Sequence, residues 1–237
     1  MAFPETGFKP PVWRPKVTIA LIALNVAAYL LMTISGVSPI NPTIRQLITW
    51  GADYAPLSLG PQPWRLLTAV FLHAGALHIG FNMWCLWSLG QLAERIFGRA
   101  TYLALYLLTG IAGNIVSLWW HPNGVGVGAS GAIFGVAGGL ITALYLGKLP
   151  VPKQALRGTL QSLLIFAVFN LGFGQVLGAV DNSAHLGGFA TGLLLGAGIA
   201  PTLTQPPERR TGPRVMAFLV LLVVLLGAFW WEHGRIS

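Results

Sequence analysis

The chain has 237 residues, 54% of them hydrophobic and only 8% charged, where a soluble domain usually carries about 25% charged residues. So few charges cannot cover a surface in water, and lipid is the expected solvent. The formal net charge of +8 does not point to nucleic acid, because the basic residues fall in short gaps between apolar runs rather than in one patch. A single cysteine, Cys85, excludes an internal disulfide and a cysteine-built metal site.

Seven apolar stretches approach the length a helix needs to cross a bilayer, about 20 residues. In chain order they are 17–35, 76–93, 101–120, 128–147, 158–177, 184–199 and 215–231. The first follows Arg14 and Lys16 and has an apolar run too long for a signal peptide, so it reads as a retained anchor. Between the first two spans, segment 36–75 carries Pro39, Pro42, Pro56, Pro61 and Pro63. It is too broken for a spanning helix and too apolar for a solvated loop. An interfacial loop is expected there, with Trp50, Tyr54 and Trp64 at headgroup depth. Gly172 and Gly174 interrupt the end of the fifth span, which reads either as a mobile entrance for substrate or as ordinary glycine packing. Segment 201–213, rich in Pro and Arg, reads as a hinge before the seventh span, with 232–237 as a short tail.

Charge sets the expected orientation. With residues 1–16 in the cytoplasm, eleven basic residues lie inside: Lys9, Arg14, Lys16, Arg95, Arg99, Lys148, Lys153, Arg157, Arg209, Arg210 and Arg214. Only Arg45, Arg65 and Arg235 lie outside, which favours an inside N-terminus and an outside C-terminus.

In that orientation the second, fourth and sixth spans all start at the outer side. Their first turns carry His78 and Asn82, then Ser130, then His185. Polar groups at membrane depth face a protein interior or a wet cavity. Two small-residue ridges lie beside them, Gly131, Gly135 and Gly139 in the fourth span and Ala184, Gly188, Gly192 and Gly196 in the sixth. If the ridges pack together, the hydroxyl of Ser130 and the imidazole of His185 share the top of one contact. A base that takes the serine proton makes a nucleophile for acyl transfer. Gly124, Gly126, Gly128 and Gly131 surround Ser130 and let backbone approach a substrate, and the free N–H groups of the helix start favour an oxyanion. His78 and Asn82, four residues apart, share one helix face and can donate to the same oxygen. A two-histidine metal site is the rival use of these residues, but it lacks a third ligand. Asp181, the acid nearest His185, reads as a helix-terminal or solvated carboxylate, so a Ser–His dyad is expected rather than a triad.

The stretch from Gly128 through Ala129, Ser130 and Gly131 to Gly135 resembles the Gly-x-Ser-Gly nucleophile motif of the rhomboid family. His73 to Asn82 resembles its histidine–asparagine motif, and Ala184-His185-Leu186-Gly187-Gly188 with Gly192 its catalytic-histidine helix. Trp64-Arg65 and Glu94-Arg95 with Gly98 are similar to its first-loop and turn motifs. The resemblance covers roughly 17–199. It implies an all-α, six-helix core, after which the seventh span stands as one additional C-terminal helix, and cleavage of transmembrane or membrane-anchored proteins, single-span ones among them, by Ser130 and His185. It further implies His78, Asn82 and the Ser130 N–H as oxyanion donors, and no cofactor. One departure is Phe134, where many relatives carry tyrosine; a ring is still available to pack under His185, but no hydroxyl. The alternative is a non-catalytic rhomboid-like protein that binds membrane clients. A solute transporter would want broken midplane helices and internal symmetry, and the sequence offers neither. The four lysines against ten arginines, with abundant Ala, Gly and Pro, point to a bacterial plasma membrane.

Overall fold

The computed structural model describes residues 13–150, 152–177 and 181–236. Segment 1–12, including Lys9, lies outside the described residues. The first helix, α1 (Lys16–Ile34), starts without a capping side chain of its own. Its free N–H groups are instead met from a distance. Glu94 accepts from the Val17 and Thr18 N–H groups and from the Thr18 hydroxyl, at 2.9–3.1 Å. A carboxylate at a helix N-terminus satisfies both the open donors and the dipole.

The loop that follows is ordered throughout. It contains α2 (Ile44–Trp50), β1 (Asp53–Tyr54), α3 (Ala55–Ser58) and α4 (Arg65–Thr68), then a single 3-10 turn at Ala69–Phe71. Thr43 and Gln46 form a capping box on α2, and Gly51 ends it at φ +102°. Arg65 donates to the carbonyls of Ile48 and Ala52, closing the loop on itself.

Next come α5 (Ala76–Phe97) and α6 (Arg99–Trp120), separated by Gly98 at φ +81°. The short β2 (Val125–Gly126) returns to pair antiparallel with β1, Asp53 opposite Gly126 and Tyr54 opposite Val125. The chain ends with α7 (Ser130–Leu146), α8 (Lys153–Leu177), α9 (Asn182–Ile199) and α10 (Pro207–Ile236). Each expected apolar stretch falls on one of the long helices.

Two local expectations are corrected. α8 runs unbroken to Leu177, so Gly172 and Gly174 do not interrupt it; a glycine weakens a helix by about 1 kcal/mol but does not end it. The hinge expected at 201–213 is largely helical, since α10 starts at Pro207 and includes Pro213, and residues 232–236 continue that helix. Proline suits a first helical position, where its missing N–H costs nothing.

Among the described residues, five helices are long and apolar enough to cross a membrane. α5 joins that group only together with 65–71, across a 91° bend, and α7 is shorter, at 17 residues. α7 is the buried centre, with Ala132, Val136, Ala137, Leu140 and Ala143 at most 1% exposed. α6 and α9 flank it, while α8 and α10 present mostly exposed apolar faces.

Candidate active site

Close approach of α7 and α9 creates the site. A Cβ placed at Gly188 would collide with the Gly131 carbonyl, one at Gly192 with the Gly135 carbonyl, and one at Gly196 with the Gly139 carbonyl. The two ridges interlock along three turns, as their spacing predicts. α6 joins them through Gly113, whose Cβ would lie 2.6 Å from the Ala184 carbonyl and 3.6 Å from Gly131 Cα. Backbones this close bring the first turns of α7 and α9 together.

Ser130 opens α7 and is half-buried. Before it, Gly128 sits at φ +128°, a left-handed conformation that favours glycine, and its N–H donates to the Ala69 carbonyl at 2.9 Å. A Cβ at Gly128 would lie 2.8 Å from His78 Nε2 and 3.7 Å from Ser130 Oγ. The bare backbone of Gly128 therefore separates the imidazole of α5 from the hydroxyl of α7.

The His78 tautomer follows from its partner. The Ala74 N–H donates to Nδ1 at 3.3 Å, so Nδ1 accepts and Nε2 carries the proton towards Gly128. His73 is buried and meets His78 edge-on, with ring centroids 5.1 Å apart. Asn82 is also buried, and its amide donates to the His78 carbonyl at 2.9 Å, which leaves one N–H to spare.

His185 lies in the first turn of α9, 5% exposed, stacked on Phe134 with centroids 4.4 Å apart and planes within 18°. Phe134 is one turn beyond Ser130 on the same face of α7. The ring takes the place under the imidazole that the sequence anticipates.

Asp181 is not aimed at His185. It caps α9 through the N–H groups of Ser183 and Ala184 at 3.1 Å and accepts from the hydroxyls of Ser183 and Ser117. Burial alone would raise its pKa, but these hydrogen bonds outweigh it and hold the carboxyl below its ordinary value. His185 Nδ1 has no hydrogen-bond partner among the described residues. The geometry thus brings Ser130, His78, Asn82, Gly128, Phe134 and His185 to one end of the α5–α7–α9 group.

Sequence reasoning missed two supports of this site. Ser117 on α6 is one, tied to Asp181. The other is Asp53, fully buried opposite Gly126, whose only advance signal was a lone acid in an apolar loop. Burial raises the Asp53 pKa to about 7, with Asp181 adding to the rise and Ser58 and Arg65 opposing it. Among the described residues no three His, Cys, Asp or Glu side chains gather as a metal site requires.

Long apolar helices packed through glycine ridges around buried and half-buried polar residues define a multi-pass α-helical membrane protein. A family model described as the rhomboid domain matches residues 60–202. The chain is 34% identical over 218 residues to rhomboid protease GluP of Bacillus subtilis, covering 92% of this chain and 41% of that protein. It is 40% identical over 146 residues to RHOMBOID-like protein 4 of Arabidopsis thaliana, covering 62% of this chain and 36% of that protein. Rhomboid protease AarA of Providencia stuartii is 30% identical over 200 residues, 75% of this chain and 70% of its own length. The chain belongs to the rhomboid family. It spans less than half the length of the Bacillus and Arabidopsis relatives.

Proposed function

We propose that this rhomboid is an intramembrane serine endopeptidase in which Ser130 is the nucleophile and His185 its general base. One juxtaposition carries the reading: around Gly128 stand His78 Nε2 and Ser130 Oγ, and one turn along α7 the Phe134 ring supports His185. Two of the relatives, from Bacillus subtilis and Providencia stuartii, are named as proteases.

In the reaction, Ser130 Oγ attacks the substrate carbonyl carbon while its proton passes to His185. The tetrahedral oxyanion receives hydrogen bonds from the His78 Nε2–H, the free Asn82 N–H and the Ser130 backbone N–H at the start of α7. His185 then protonates the leaving amine and the peptide C–N bond breaks. Water, deprotonated by His185, releases the acyl group and restores Ser130. Because Asp181 is engaged by four donors of α6 and α9, a dyad fits this arrangement better than a triad.

α7 supplies a reason for an accessible serine. Its 17 residues rise about 26 Å, less than the roughly 30 Å of hydrocarbon a bilayer presents. If its far end reaches the cytoplasmic surface, its first turn starts beneath the outer one, where the cavity must be wet for hydrolysis. Single-span membrane proteins are the substrates this depth favours, unwound locally so that an amide reaches Oγ. The basic-residue asymmetry supports an N-terminus in the cytoplasm and a Ser130 end on the extracytoplasmic side, and the scarcity of lysine with abundant Ala, Gly and Pro supports a bacterial plasma membrane.

The test is labelling of the purified, reconstituted protein with a serine-directed fluorophosphonate, followed by peptide mapping and assay on a single-span substrate. The adduct is expected on Ser130, and Ser130→Ala and His185→Ala are each expected to abolish cleavage without unfolding. Cleavage by Ser130→Ala at the wild-type rate would end the assignment. A client-binding role without catalysis would appear as substrate retention with no adduct and no cut.

A further inference from the structure

α10 is fastened to the rest of the molecule at both ends. Near its start, Arg214 donates to the Phe97 carbonyl at 2.8 Å, to the Thr101 hydroxyl at 3.1 Å and to the Thr202 hydroxyl at 2.7 Å. At the far end, His233 Nδ1 lies 2.5 Å from the carbonyl oxygen of Leu59. A carbonyl only accepts, so Nδ1 holds the proton and donates it. The ring is steadied by Phe229, parallel within 7°, and by Trp230 edge-on at 5.6 Å.

Leu59 is 1% exposed and ends α3, so its carbonyl is one of the acceptors a helix terminus leaves open. Beneath this hydrogen bond Leu225 and Phe229 of α10 share one apolar cluster with Ala55, Leu59 and Leu66 of the loop and Ile115 of α6. α3 follows β1 directly, β1 pairs with β2, and β2 runs two residues later into Gly128 and then Ser130. An unbroken series of backbone contacts thus leads from His233 to the turn that presents Ser130.

We propose that His233 is a positioning residue: its hydrogen bond to Leu59 lets α10 hold segment 53–59, which through the β1–β2 pairing sets the backbone at Gly126–Ser130. His233 touches no reacting group and acts only through the loop. The inference rests on the peptidase reading for its catalytic half, while its structural half stands separately. A bond that pre-sets the Gly128 turn should act on the chemical step more than on substrate capture.

The experiment compares full-length wild type, His233→Leu and His233→Asn in lipid nanodiscs. Asparagine offers an N–H close to the place of Nδ1, whereas leucine keeps bulk and loses the donor. Two quantities are read: hydrogen–deuterium exchange of amides 53–60 and 125–130, and the separate kcat and KM for a single-span substrate. The expected result is faster exchange in both segments for His233→Leu with kcat lowered about 3- to 10-fold, the effect of one net hydrogen bond, and KM within twofold. His233→Asn should restore both readouts. Wild-type exchange in His233→Leu, an unchanged kcat beside faster exchange, or an Asn variant as impaired as Leu would overturn the proposal. If wild type cleaves nothing, the peptidase reading fails and the catalytic half of this proposal with it. The exchange rates still decide whether α10 holds the loop.

Discussion

At the scale of single residues, Asp53 has the most to reveal in solution. Its carboxyl is fully buried beside Gly126, and burial lifts its pKa from 3.8 to about 7. Arg65 and Asp181 are the charged groups that act on it, with opposite sign, and the Ser58 hydroxyl favours the ionised form. The folded protein therefore binds a proton that the unfolded chain has released between about pH 4 and pH 7, so stability falls as pH rises through that window. Asp53→Asn removes the ionisation and keeps the shape. Its thermal midpoint is expected to match wild type near pH 4 and to exceed it at pH 8, reflecting a stability difference of a few kcal/mol at most. Parallel pH profiles of the two midpoints would refute this account. Gly128 shows the other kind of residue-scale constraint: its φ of +128° and the nearness of His78 Nε2 leave no room for any side chain.

At the scale of elements, the α7–α9 contact governs the site because it fixes the distance between two helix starts. The carbonyls of Gly131, Gly135 and Gly139 occupy the space where side chains on α9 would otherwise stand. Gly192→Leu forces backbones apart at the middle of that contact. It is expected to cost several kcal/mol, beyond the roughly 1–3 kcal/mol usual for overpacking, since backbone rather than a flexible side chain must give way. Activity should fall with it. Gly158 on α8 supplies the control, because nothing lies within 4 Å of its Cβ position; Gly158→Ala is expected to be neutral or stabilising by up to about 1 kcal/mol. Unfolding in mixed micelles measures both, and equal losses would deny the ridge its role.

At the scale of the whole molecule, helices remote in sequence are tied by charged or polar side chains reaching unpaired backbone groups. Glu94 closes the start of α1 from the end of α5 and also meets Arg99 at 3.4 Å. Arg214 performs the corresponding service for the carbonyl that ends α5, from the start of α10. Glu94→Ala leaves two helix-start N–H groups and a buried hydroxyl unsatisfied. A loss of about 2–3 kcal/mol is expected, with Glu94→Gln losing less because it still accepts; denaturant midpoints distinguish them. Arg65 binds loop carbonyls in the same manner.

Sequence by itself determined the lipid solvent, the apolar segments, the four-residue glycine spacing and the polar residues at three helix starts. These properties are local: composition, length and period are written along the chain without reference to distant contacts. The motifs around Ser130, around His78 and Asn82, and around His185 carried the resemblance to the rhomboid family, and that resemblance implied a six-helix core with one helix added. Tertiary structure decided that loop 36–75 folds into short helices and a strand, that α10 begins at Pro207, and that Asp181, of the two places expected for it, takes the helix-terminal one, capping α9 while it accepts from Ser117 of α6. It also decided the bond of His233 to Leu59, whose partners stand 174 residues apart. No periodicity announces such pairs, because which carbonyl or carboxylate is left without a partner emerges only after the helices have packed.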